Sequence, residues 1–132
     1  MKHIPDVRSL ARNANITSEF LHWLRIDGHK LVDAAQLLGG SGWAERAEHI
    51  VTTARAGHDV AARRSDLFAL RRLLRLEFTT KVNSEEARRF AEVHPDDPRA
   101  DEARLCAETL DKGVRALEAL RLVGVVNLRE AA

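Results

Sequence analysis

The sequence predicts an all-α protein, a bundle of five to six helices in one domain over residues 1–132. Two observations carry that reading. Apolar residues recur at the 3.6-residue helical period along most of the chain, and no segment shows sustained period-two alternation bounded by hairpin turns. The punctuation agrees: Gly39-Gly40, Gly57, the run His94-Pro95-Asp96-Asp97-Pro98 and Gly124 cut the chain into helix-length pieces.

The elements follow in order. Asp6 can cap a short helix from about Val7 to Ala14, which Asn13 and Asn15 then interrupt. Thr17 and Ser18 are N-cap residue types for a helix over Glu19–Ile26. Asp27-Gly28 is a turn signal. If the helix instead continues through Gly28, then Phe20, Leu24, Leu31, Ala35 and Leu38 fall on one face, so one bent helix and two helices are both open here. Gly39-Gly40 is a stop, because a left-handed C-terminal cap favours Gly. Ser41 starts a helix with Trp43, Ala47, Ile50 and Ala54 on its apolar face, and Gly57 ends it.

A long helix is expected near 59–78, capped by Asp59, with Leu67, Leu70, Leu73, Leu74 and Leu76 on its apolar side. Thr79–Val82 reads as a loop or a short extended piece. Asn83 or Ser84 caps a helix to about Val93 that turns Ala87, Phe90 and Ala91 inward. Pro95 disfavours helix at His94, whereas Asp97 before Pro98 supplies a capping carboxylate and a Pro at the first helical position. A second long helix therefore spans 98–122, with an apolar seam of Ala103, Cys106, Leu110, Gly113, Leu117 and Leu120 in steps of three and four. Val123–Leu128 reads as a strand-like tail or as a helical end packed on a partner.

Composition narrows the function classes. The 21 basic and 20 acidic residues leave a net charge of +1, which gives no global attraction to nucleic acid or to an anionic membrane. Cys106 is the single cysteine, so an intramolecular disulfide and a multi-thiolate zinc site are both excluded. The first ten residues hold no apolar core, and the uncharged stretch from Ala34 to Ala44 is short and Gly-rich. The expectation is a cytoplasmic protein with no membrane partner. Seventeen of the basic residues are Arg, which reads first as the composition of a GC-rich bacterial genome and only second as a preference for bidentate anion contacts.

Candidate chemistry is sparse. Glu19 and His22 have the Glu-x-x-His spacing of carboxylate-bridged metal bundles, and His29–Asp33 and Glu45–His49 are i,i+4 pairs. Metal ligands in a bundle project inward, while these residues lie opposite the apolar stripes, so no metal and no cofactor is assigned. Cys106, on an apolar seam, reads as a small hydrophobe rather than a nucleophile. Gly39-Gly40-Ser41-Gly42 lacks the Lys and the spacing of a phosphate-binding loop and reads as an interhelical turn. No catalytic residue is assigned.

Two features point outward. Arg64, Arg71, Arg72 and Arg75 share the side of their helix opposite the leucines, with Phe68 among them. That set reads as a partner- or anion-binding face, the alternative being a second helix of the same chain over Phe68. Charge is also segregated: nine positive and five negative residues from Arg55 to Arg89, four positive and eight negative from Glu92 to Glu118. Such halves can dock on each other within the chain, join two protomers or steer a partner. The small residues of the last seam would admit a second helix closely, so Ala103, Cys106, Leu110, Gly113 and Leu117 are the self-association candidates.

Leu31-Val32-Asp33-Ala34-Ala35-Gln36-Leu37-Leu38-Gly39 resembles the first helix and turn of a helix-turn-helix over nine residues. Gly40 and Glu45 depart from that pattern where apolar residues are usual, and Glu45 and Glu48 make a poor face for DNA. The leading expectation is a non-enzymatic helical protein-interaction module, a regulator or adaptor that self-associates as a dimer or larger species. The alternatives are a nucleic-acid-binding regulator using the Arg face or the helix-turn-helix, and a bundle that binds a metal or small molecule.

Overall fold

The computed structural model describes residues 7–124. Asp6 as a cap, and the tail beyond Gly124, lie outside the described residues. Among those described the elements are helical: α1 (Val7–Gly39), α2 (Ser41–Arg55), α3 (Arg64–Leu74), α4 (Glu85–Glu92) and α5 (Pro98–Leu122), with 3-10 turns at Val60–Arg63 and Glu77–Thr80. The all-α bundle expected from periodicity is what forms.

Four helices stand in a ring. α1 packs on α2 and α5, and α3 closes the ring between α2 and α5. Successive members run antiparallel. Arg25 Nε donates to the Ala54 carbonyl and Gly39 abuts Trp43, so α1 and α2 form a hairpin. Lys30 pairs with Glu102 while Phe20 meets Gly113, so α1 and α5 run opposite ways. Arg64 bonds Glu118 and Arg71 bonds Asp111, which orders α3 against α5. Antiparallel neighbours are the expected result of short connections. The α1–α2 hairpin replaces the crossed pair that the helix-turn-helix resemblance implied.

α1 is longer than the sequence suggested. It runs through Asn13 and Asn15, and Thr17 is a buried core residue rather than a cap. Side-chain burial outweighs the modest helix penalty of Asn and Thr. The kink sits at Asp27 (φ −114°, ψ 15°), and Gly28 just beyond it is buried. A Cβ at Gly28 would stand 2.6 Å from Val51 Cγ1. Gly28 therefore lets α2 approach α1, and the helix bends instead of ending. Gly40 stops α1 with φ 93° and ψ −172°, an extended mirror-image conformation open essentially to Gly, in place of the left-handed cap expected there.

The helix expected over 59–78 is broken at both ends. The Asp59 side chain caps as expected, accepting from the Ala61 N–H, but the first turn is 3-10 and α3 starts at Arg64. Leu76 then takes the left-handed conformation (φ 63°) and ends the run. Its side chain packs on the core, a gain that offsets the backbone cost of a left-handed leucine. Ser84 caps α4 by accepting from Ala87 N–H, and Asp97 caps α5 by accepting from Arg99 N–H, both as the sequence indicates. α4 buries no residue, and Phe90 and Ala91 are exposed, contrary to the inward face expected. It is held instead by polar contacts: Trp43 Nε1 donates to Glu86, and Arg89 Nη2 donates to the Gln36 carbonyl in the last turn of α1. The Gln36 carbonyl also accepts from the Gly40 N–H, and a cation at the C-terminal end of a helix is favourable.

The core is one cluster. Leu24, Leu31, Ile50, Leu70 and Leu110 have no exposed surface. α1 and α5 approach closely within it, and a Cβ on Gly113 would lie 2.3 Å from the Phe20 ring. Gly113→Ala therefore forces the ring or the helix to move. Urea unfolding should show a loss of about 1–3 kcal/mol, partly recovered when Phe20→Leu is added. An unchanged midpoint would mean that the helices are not this close.

Candidate functional site

The residues proposed for partner or anion binding are largely engaged inside the chain. Arg64 grips Glu118 at 2.8 Å and its guanidinium lies 4.5 Å from the Phe68 ring centroid. Arg71 donates to Asp111 at 2.7 Å, with both side chains mostly covered. Arg72 lies 3.5 Å from Glu77 and over the Phe78 ring. Arg75 is exposed at the end of α3. Phe68 is half-buried in the crease between α3 and α5, beside Val114 and Leu117. Of the three uses of segregated charge, docking within the chain is the one seen at Arg64–Glu118 and Arg71–Asp111, because α3 and α5 bring the basic and acidic halves side by side.

The self-association candidates also face inward. Ala103, Cys106, Leu110, Gly113 and Leu117 are all buried in the single chain, with α1 filling the seam that a second helix was expected to occupy. Small residues do permit close helix approach here, but the approaching helix belongs to the same molecule. Cys106 is 2% exposed. Burial, with Glu102 adding a nearby negative charge, pushes its thiol up to about 11, so it holds no thiolate for nucleophilic work near neutral pH.

The polar candidates do not converge. Glu19, His22, His29, Asp33, Glu45 and His49 are on exposed positions of α1 and α2. Among the described residues no three His, Cys, Asp or Glu side chains are grouped to hold a metal ion. A cleft of about 450 Å³ opens between α1, α4 and α5, and its walls include Leu37, Ala34, Lys30, Arg89, Arg99 and Glu102. Its cations are partnered: Lys30 with Glu102, Arg99 with Asp97, and Arg89 with the Gln36 carbonyl. Arg89 Nε is buried without a hydrogen-bond partner.

A further feature lies on the outer face of the α1–α5 pair. A groove of about 260 Å³ runs between the two helices, lined by Ile16, Glu19, Phe20, Trp23, Thr109, Lys112 and Gly113. Trp23 stacks on Phe20 with ring centroids 6.2 Å apart, and stays half-exposed. One turn further along α1 is Ile26, 60% exposed; one turn back along α5 is Leu105, 54% exposed. Because the helices are antiparallel, both steps lead the same way, toward the Lys30–Glu102 pair. By that register Ile26 and Leu105 stand at one level of the helix pair, between the Glu19–Lys112 end of the groove and the Lys30–Glu102 pair. Sequence reading passed over these residues because Ile26 and Leu105 lie off the main stripes, each amid charged neighbours; an apolar residue out of phase was the available signal.

No protein-family model, curated protein or solved structure matches the chain. Among the described residues no helix is long and apolar enough to cross a membrane.

The α3–α5 contact has a pH signature. Hydrogen bonds from Arg64 and then Arg121 hold the Glu118 carboxyl down at about 2, from its ordinary 4.5. A carboxyl depressed on folding stabilises the fold above its unfolded value and loses that contribution as pH falls through the folded one. Stability should therefore drop between pH 4.5 and about 2, and Glu118→Gln should flatten that part of a denaturation-against-pH profile. An identical acid limb in the variant would contradict the pairing.

Proposed function

We propose that the chain is a non-enzymatic helical interaction module, a regulator or adaptor, that docks a protein on the outer face of α1 and α5. The carrying observation is the exposure of Ile26 and Leu105, which the antiparallel register of α1 and α5 sets at one level beyond the groove that Trp23 lines. Single exposed apolar residues are ordinary, whereas apolar side chains aligned on two neighbouring helices with a charged rim have the anatomy of an interface. Burying an Ile or Leu side chain contributes about 1.5–3 kcal/mol, so this strip alone supports a specific contact of modest strength. The dispersed histidines and carboxylates and the suppressed Cys106 thiolate favour binding over catalysis. A cytoplasmic setting is in keeping with a lone, buried, free thiol.

The nucleic-acid reading has less support. Its Arg face depends on guanidinium groups that already hold Glu118, Asp111 and Glu77, and phosphate would have to displace those carboxylates.

Photo-crosslinking amino acids at positions 26 and 105, with one at Arg104 on an exposed flank as control, test the proposal in living cells of the source. Covalent adducts to protein are expected from 26 and 105 and not from 104. Adducts from all three alike, or from none, would contradict a docking face here.

A further inference from the structure

We infer that the occupant of this face is a second copy of the same chain, related by a two-fold axis lying in the plane of the face. The inference rests on the docking reading above and adds the partner. Its basis is the arrangement of four charges around the apolar strip. At one end Glu19 on α1 stands across the groove from Lys112 on α5. At the other end Lys30 on α1 stands 3.6 Å from Glu102 on α5. Among these four groups acid and base alternate both across the helix pair and along each helix, as on a checkerboard; Asp27, 3.8 Å from Lys30, shares the second end.

Such a pattern is its own complement. An isologous contact places the same patch on both sides of the interface. If the two-fold runs along the groove, α1 of one copy lies over α5 of the other: Glu19 meets the second copy's Lys112, and Lys30 meets its Glu102. If the two-fold crosses the groove, α1 lies over α1 and runs antiparallel to it. Glu19 then meets the second copy's Lys30, and Lys112 its Glu102. Either way four opposite-charge contacts form around Trp23, Ile26 and Leu105 with no like charges opposed among these four groups. A face made for an unrelated partner carries no requirement for this symmetry. The product is a central four-helix layer made of two α1–α5 pairs, an ordinary packing for antiparallel helices.

The apolar strip supplies the affinity and the rim charges set orientation, since exposed pairs are individually weak. The self-association expected from the sequence is kept, but moved from the seam of Ala103, Cys106, Leu110, Gly113 and Leu117 to the opposite side of α5.

Analytical ultracentrifugation of the full chain, at low salt and at tens to hundreds of micromolar, tests this. The wild type should sediment as two chains, and Ile26→Asp as one. Glu19→Lys opposes like charges under either axis and should raise the dissociation constant about tenfold. Glu19→Lys with Lys112→Glu restores the dimer if the axis runs along the groove. Glu19→Lys with Lys30→Glu restores it if the axis crosses. Recovery by either double variant supports the proposal, with thermal melts confirming that each variant is folded. A wild type that stays a single chain overturns it, as does a dimer indifferent to Ile26→Asp and Glu19→Lys, or one that neither double variant restores. A single-chain wild type whose positions 26 and 105 still crosslink to another protein would remove the second copy and leave the docking face standing.

Discussion

The contact of the Phe20 ring with the backbone of Gly113 governs this molecule. A side chain at 113 would collide with the ring, so its absence lets α5 lie against α1 along much of its length. That closeness makes the small-residue seam of α5 an internal surface. Helix–helix packing of this kind derives its strength from close-packed interiors, where a single methyl group is felt. The outer sides of the same two helices are then turned to solvent together, and the groove between them is a by-product of the inner fit.

The electrostatic design follows from the same placement. α3 carries a basic excess, and α5, alongside it, turns the carboxylates of Asp111 and Glu118 toward it. The pairs Arg64–Glu118 and Arg71–Asp111 join them at 2.8 and 2.7 Å. These charges are largely spent inside the monomer. Glu19 and Lys30 on α1 and Lys112 and Glu102 on α5 lie away from that contact, and of these Lys30 and Glu102 pair with each other at 3.6 Å. A near-balanced net charge of +1 thus conceals a local segregation of charge that the fold brings together.

Much of the fold was legible because its signals are local. The capping roles of Asp59, Ser84 and Asp97 can be read from residue type and position, and the buried faces of α1, α2 and α5 from periodicity. What escaped depends on tertiary packing. The stretch around Asn13 and Asn15 stays helical because neighbouring helices bury Thr17 and Phe20. Leu76 breaks a helix that no local residue marks for breaking, and gains core contact in return. α4 is held by Glu86 and Arg89 rather than by its apolar residues, a choice set by where Trp43 and the end of α1 happen to lie. The seam of α5 announces close packing but not which chain supplies the second helix, and the common level of Ile26 and Leu105 emerges only when α1 and α5 are placed together.

The most direct test of this account is an isotope-filtered nuclear Overhauser experiment on the pair Phe20–Gly113. In uniformly labelled protein, the Phe20 ring protons should show strong contacts to the Gly113 α-protons, with those protons shifted upfield by the ring. In a mixture of labelled and unlabelled chains, filtered for contacts between molecules, these cross-peaks should be absent. Their appearance in the filtered spectrum, or their absence from the uniform sample, would contradict the internal α1–α5 seam on which the assignment of the outer face depends.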